Sequence, residues 1–170
     1  MEDLSVVIRD RLKKLDDLAA GGVDPYPSTF PVSHRVADLR ARYSEAEEAD
    51  LGAAAPVSLG GRVRSVRGHG KASFAHLQDG TGRLQIYVRQ DVVGEAAYRL
   101  FKLIDVGDFV GVHGRLFRTR TGELTVQVER LAFLAKAVRP LPDKWHGVSD
   151  VEVRYRQRYV DLIVTPKTRK

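Results

Sequence analysis

From Val57 onward the hydrophobic period of this chain changes from helical to two, in segments punctuated by glycine, and this restricts its fold more than any other feature. Leu84, Ile86 and Val88 alternate with Arg83, Gln85, Tyr87 and Arg89, while Leu124, Val126 and Val128 alternate with Glu123, Thr125, Gln127 and Glu129. That is the pattern of strands with one buried face. Asp79-Gly80-Thr81-Gly82 and Arg120-Thr121-Gly122-Glu123 supply the glycines that tight hairpin turns require. Strands are predicted near residues 57–68, 71–79, 82–89, 109–118 and 123–134. Between the third and fourth lies GEAAYRLFKLID, where Ala97, Leu100, Phe101 and Ile104 recur at helical spacing.

Five short strands with a helix between the third and fourth is the element order of the OB fold, a Greek-key barrel that binds oligonucleotides on the face of its second and third strands. The chief rival, an SH3-like barrel, does not require that helix. The expected fold class is therefore mainly β (α+β), an OB barrel with flanking helices. Three parts are expected: a helical lead-in and linker over 1–56, the barrel over 57–134, and a linker with a helix over 135–170. In the first part Leu4, Ile8, Leu12, Leu15 and Ala19 form a stripe that predicts an amphipathic helix, stopped by Gly21-Gly22. The proline-rich GVDPYPSTFP then forces extended backbone. Residues 33–49 suggest one or two short helices, and LGAAAP a small-residue linker. In the last part RPLPDKWHG is a linker, and DVEVRYRQRYVDLIV resumes helical spacing, its Arg154, Arg156 and Arg158 expected to spread around the surface.

Charge points to a polyanionic partner. The total of +6 divides into −4 over 1–56, +5 over 57–134 and +5 over 135–170, so the positive field coincides with the barrel and the segment C-terminal to it. With no lipid-facing stripe, nucleic acid is favoured over membrane. The chain has no Cys, and its five His never fall at metal-ligand spacing, so neither disulfides nor a metal site is expected. No stretch approaches the length of an apolar membrane span, and the acidic start, MEDLSVVIRD, lacks the basic opening of an export signal; a cytoplasmic location is expected. No Ser/His/Asp or Cys/His constellation, HExxH or GxGxxG is present, so no catalytic residue is assigned.

Gly68-His69-Gly70-Lys71-Ala72-Ser73 suggests a phosphate loop but fails the motif, which needs Gly at position 65 and Ser or Thr at position 72, where Ser65 and Ala72 stand. It reads as a turn whose Lys71 is available to a phosphate. If Ala75 and Leu77 face the core, Phe74 and His76 share the other face with Gln85 and Tyr87. An outward aromatic there is a stacking platform for a base; a bulge near Gly70 would instead bury it. Gln85 either reads a base edge or is a solvated strand residue. Glu123 either accepts from a base N–H or forms a surface ion pair.

RSVRGHGKASFAHLQDGTGRLQIYV, FRTRTGELTVQV, KAVRPLPDKWHG and RYRQRYVDLIV resemble successive segments of bacterial-type class II lysyl-tRNA synthetases, and the N-terminal helix with GVDPYP resembles that family's lead-in. The resemblance implies a barrel that binds the anticodon stem-loop of tRNA(Lys). It implies Phe74 as the stacking ring, Gln85 and Glu123 as hydrogen-bonding groups for anticodon bases, and Arg67 at a base or its phosphate. Arg64, Lys71, His76 and Arg118 are further candidates for RNA contact. ATP, Mg²⁺ and the homodimer contact of such an enzyme belong to a catalytic domain C-terminal to these segments, so this chain alone is not expected to charge tRNA. A free-standing OB protein that binds single strands broadly is the alternative.

Overall fold

Strand β1, Val57–His69, serves two neighbours. Its first half pairs with β4, Phe109–Arg118, and its second half with β2, Ala72–Gln78. A register shift between Val63 and Ser65 separates the halves and supplies the bend that a closing sheet needs. In this computed structural model, which describes residues 4–141 and 151–165, β3 (Arg83–Arg89) and β5 (Leu124–Ala135) complete a closed barrel in the order β1-β2-β3-β5-β4. All pairings are antiparallel except β3 with β5, which is parallel. This is the OB barrel expected from the sequence, with strand boundaries within one residue of the predicted ones.

The flanking helices are α1 (Leu4–Ala20), α2 (Val36–Tyr43), α3 (Glu48–Ala53), α4 (Gln90–Val93), α5 (Glu95–Lys102), α6 (Val151–Arg156) and α7 (Arg158–Val164). The helix foreseen between the third and fourth strands is α5; the one-turn α4 precedes it and is separated from it at Gly94, whose φ of 85° suits glycine. Leu59, Val63, Leu77, Leu84, Ile86, Val88, Val110, Val112, Val126 and Val128 are buried in one apolar cluster with Tyr98, Phe101 and Ile104.

The lead-in is part of the same packing. Contacts divide the chain into one compact unit ending at Val138 and a second beginning at Arg139. The first half of LGAAAP, expected as linker, instead ends α3, with Leu51 fully buried in the core cluster, and only residues 54–56 connect it to β1. Phe30 of the proline-rich connector lies over Gly111; a Cβ there would sit 2.5 Å from its ring, so the connector's seat depends on that glycine. The stripe predicted for α1 overlaps its buried face only in part: Ile8 and Leu15 are half-buried, but Leu12 is 42% exposed and Ala19 is exposed, whereas Leu18 and Arg11 are buried. The helix is turned so that Arg11 donates to the carbonyls of Val106 and Ala137, and Lys14 reaches Asp105 Oδ1 at 2.6 Å.

The start of α2 is capped from the barrel. Arg35, the N-cap by position, makes no side-chain cap bond; Asp79 of the β2–β3 hairpin accepts from Val36 N–H at 2.8 Å in its place, and from Thr81 and Gly82 N–H. Burial pushes the Asp79 carboxyl up, but the hydrogen bonds from Val36, Thr81 and Gly82 outweigh it and hold the group below 3.8. Its contribution to stability is therefore complete above that value and lost as pH falls through the lower folded pKa. Asp79→Ala is expected to cost about 1–2 kcal/mol in denaturant unfolding at neutral pH, a difference that closes in acid; equal stability at neutral pH would refute the cap.

In the second unit, α6 and α7 share the buried Asp161, which accepts from Arg158 at 3.1 Å and lies 3.7 Å from Arg154 Nε, while Arg156 pairs with Glu152. The linker RPLPDKWHG lies, from residue 142, outside the described residues.

Candidate nucleic-acid interface

Two cross-strand rows on the outside of β1, β2, β3 and β5 build the site. One row is Arg67, Phe74, Tyr87 and Gln127; the next is Ser65, His76, Gln85 and Thr125. Ala75 and Leu77 are buried, so Phe74 and His76 face outward as alternation predicts, and the only bulge between β1 and β2 lies at Val63/Ser65. Phe74 stacks on Tyr87 at 4.3 Å between centroids and 18° between planes, and Tyr87 meets Phe117 of β4 at 6.0 Å. Tyr87 thus covers one face of the Phe74 ring, as paired aromatics prefer.

The second row is a hydrogen-bonded chain. Ser65 Oγ lies 2.9 Å from His76 Nδ1, and His76 Nε2 lies 3.1 Å from Glu123 Oε1. Gln85 Nε2 donates to Thr125 Oγ1 at 3.0 Å, and Thr125 Oγ1 donates to the Glu123 carbonyl at 3.0 Å. Gln85 is 4% and Thr125 0% exposed. Alternation alone makes both solvent-facing; the parallel β3–β5 pairing presses them together and buries them.

Arg67, Phe74, Gln85 and Glu123 converge on one cleft of about 630 Å³, also lined by Tyr87, Phe117, Arg118 and the hairpin residues Thr119, Arg120 and Thr121. Of the further candidates, Arg118 stands at this cleft, but its guanidinium is held by the carbonyls of Tyr43, Ser44, Ala46 and Gly122. It clamps the α2–α3 loop to the β4–β5 hairpin. His76 supports Glu123. Lys71 lines a neighbouring cleft with Arg89, Gln90 and Asp91, joined to the first at Tyr87. Arg64, half-buried in the bulged part of β1, is not among the residues lining either cleft. Sequence reasoning passed over Phe117, Thr125 and Arg120. Alternation with buried Leu116 carried a signal for Phe117; nothing local marked Thr125. Among the described residues no three His, Asp or Glu side chains are placed to hold a metal, and no helix is long and apolar enough to cross a membrane.

The barrel is matched over residues 57–134 by the family of OB-fold nucleic acid binding domains, and that is the class its fold and outer cleft define. The similarity of the whole chain is more particular. It is 50% identical over 160 residues to the lysine–tRNA ligase of Moorella thermoacetica, covering 94% of this chain and 32% of that protein. It is 51% identical over 168 residues to the lysine–tRNA ligase of Cupriavidus necator, covering 98% and 32%, and 48% identical over 164 residues to that of Enterococcus faecalis, covering 96% and 33%. Over nearly its whole length the chain is similar to the N-terminal part of lysine–tRNA ligases, with their anticodon-binding OB domain. It spans about a third of the length of these relatives.

Proposed function

We propose that the barrel binds the anticodon loop of tRNA(Lys), as the recognition part of a cytoplasmic, homodimeric enzyme that joins lysine to tRNA with ATP and Mg²⁺. The observation that carries this reading is the single cleft in which a stacked aromatic pair, a buried amide, a carboxylate and the exposed Arg67 meet. Phe74 offers a ring face to one base, Gln85 and Glu123 hydrogen-bond base edges, and Arg67 neutralises phosphate. ATP and Mg²⁺ are assigned to the remaining length of such a ligase, and this chain alone is expected to form no lysyl-tRNA; lysyl-tRNA made by the purified chain would overturn that assignment.

The direct test titrates the chain with a lysine anticodon stem-loop and with a scrambled loop of equal charge, at one salt concentration because phosphate contacts dominate affinity. The expected outcome is a preference for the lysine loop of about tenfold or more. Equal affinities would favour instead a general single-strand binder, the reading that the aromatic row would support by itself.

A further inference from the structure

Among the described residues Gln85 is the one side-chain amide lining the cleft, and an amide can present either an oxygen or an NH₂ to a base. Which it presents is decided by its neighbour. The Glu123 carbonyl can only accept, so the single hydrogen of the Thr125 hydroxyl, 3.0 Å away, points to it. Thr125 Oγ1 is then an acceptor toward Gln85, and Gln85 turns Nε2 to it at 3.0 Å. The reverse orientation would set two acceptors, Gln85 Oε1 and the Glu123 carbonyl, on one hydroxyl hydrogen, and would leave a contact unmade in a place where Thr125 is 0% exposed. With one Nε2 hydrogen committed to Thr125 and the sense of the amide so fixed, Gln85 Oε1 is left as the amide's acceptor for a base. Glu123, held by His76 at 3.1 Å, adds a second group that accepts when ionised.

We infer that Thr125 is a specificity-determining, positioning residue: by fixing the sense of the Gln85 amide it makes the site select a base with a ring N–H, uracil or guanine, over cytosine. Uracil N3–H and guanine N1–H donate to such an acceptor. Cytosine can offer its exocyclic amine to one acceptor but sets the N3 lone pair against the other, and an unpaired acceptor in a dry site is costly. The inference rests on the cleft being an RNA site. Thr125 itself touches no base.

The test uses the full chain and anticodon stem-loops in which each loop uridine is replaced in turn by cytidine, with wild type, Thr125→Val and Thr125→Ser. Wild type should lose about tenfold or more at one position. Thr125→Val, which keeps the shape and removes the hydroxyl, should reduce that penalty to about threefold or less by letting the amide turn over, whereas Thr125→Ser should retain it. A penalty unchanged in Thr125→Val, or lost equally in Thr125→Ser, overturns the inference. Should Thr125→Val fail to fold, nitrogen-labelled NMR of the wild-type chain decides. The Gln85 NH₂ should keep its shift and its protection from exchange when the uridine loop binds, and a large shift there overturns the inference. Wild type that cannot tell the lysine loop from a scrambled one would defeat the reading of the cleft itself. Wild type that can, with the penalty unchanged in Thr125→Val, would defeat only the role of Thr125.

Discussion

Lys136→Met is expected to destabilise the chain by about 3–5 kcal/mol, the usual cost of removing one member of a buried ion pair. The Lys136 side chain is 0% exposed and bonds Asp108 Oδ2 at 2.7 Å, Asp105 Oδ2 at 2.6 Å and the Leu103 carbonyl at 3.2 Å. Asp108, also 0% exposed, accepts from the amides of Asp105 and Ala137. Without the ammonium, Asp108 keeps two amide donors and a charge that neither water nor a cation relieves. Asp105 retains Lys14 of α1 and suffers less. Denaturant unfolding followed by circular dichroism measures the loss, and a midpoint shift of about 10 °C or more should accompany it on heating. Adding Asp108→Asn should restore part of the stability, since the amide carries no charge but offers one acceptor to two N–H groups. A single variant as stable as wild type would show that the pair holds nothing together. Acid gives an independent reading of the same cluster. Burial pushes the Asp105 carboxyl up, but Lys136 and Lys14 outweigh it and hold the group below 3.8, so its stabilisation is complete above that value and disappears as pH falls through the lower folded pKa.

Phe74→Ala should weaken binding of the lysine stem-loop by about 1–3 kcal/mol, or roughly five- to 150-fold in Kd. The ring is held upright by Tyr87 at 4.3 Å, so its stacking face is set before RNA arrives and little ordering opposes the contact. Because any base presents a flat face, the loss should be nearly as large for a scrambled loop. Gln85→Ala should instead erode the difference between the two loops. Titration at fixed salt separates these behaviours, and an effect of Phe74→Ala below about twofold would remove the ring from the binding face. Phe74→Tyr, which keeps a ring of similar size, should retain most of the affinity.

The barrel was legible because each strand carries its own evidence. Leu84, Ile86 and Val88, and likewise Leu124, Val126 and Val128, go inward as their alternation requires, and the glycines at 80, 82 and 122 stand in the hairpins. Phe74 was legible for the same local reason. What could not be read locally depends on partners distant along the chain. Arg11 turns α1 toward a carbonyl 126 residues away; nothing in the spacing of Leu4, Ile8 and Leu12 records that. Arg118 looks like a phosphate contact until the α2–α3 loop, more than seventy residues earlier, takes its donors. Gln85 and Thr125 each read as solvent-facing, and only the closure of the barrel makes them neighbours. The resemblance to lysyl-tRNA synthetases supplied the weight on Glu123 that pattern alone did not.

The parallel contact of β3 with β5 also bears on when during folding the site comes into being. It joins Gln85 to Thr125 across 40 positions of sequence, and such remote pairings form late because the intervening loop must first lose its freedom. The β2–β3 hairpin can assemble the Phe74–Tyr87 stack by itself, but the committed amide and the hairpin carrying Glu123 join it only when the last seam shuts. A collapsed chain with that seam open would therefore hold single strands by stacking without discriminating among bases. Selectivity among loops, followed through refolding, would mark the final step of barrel closure, and a bound loop would oppose the reopening of that seam first.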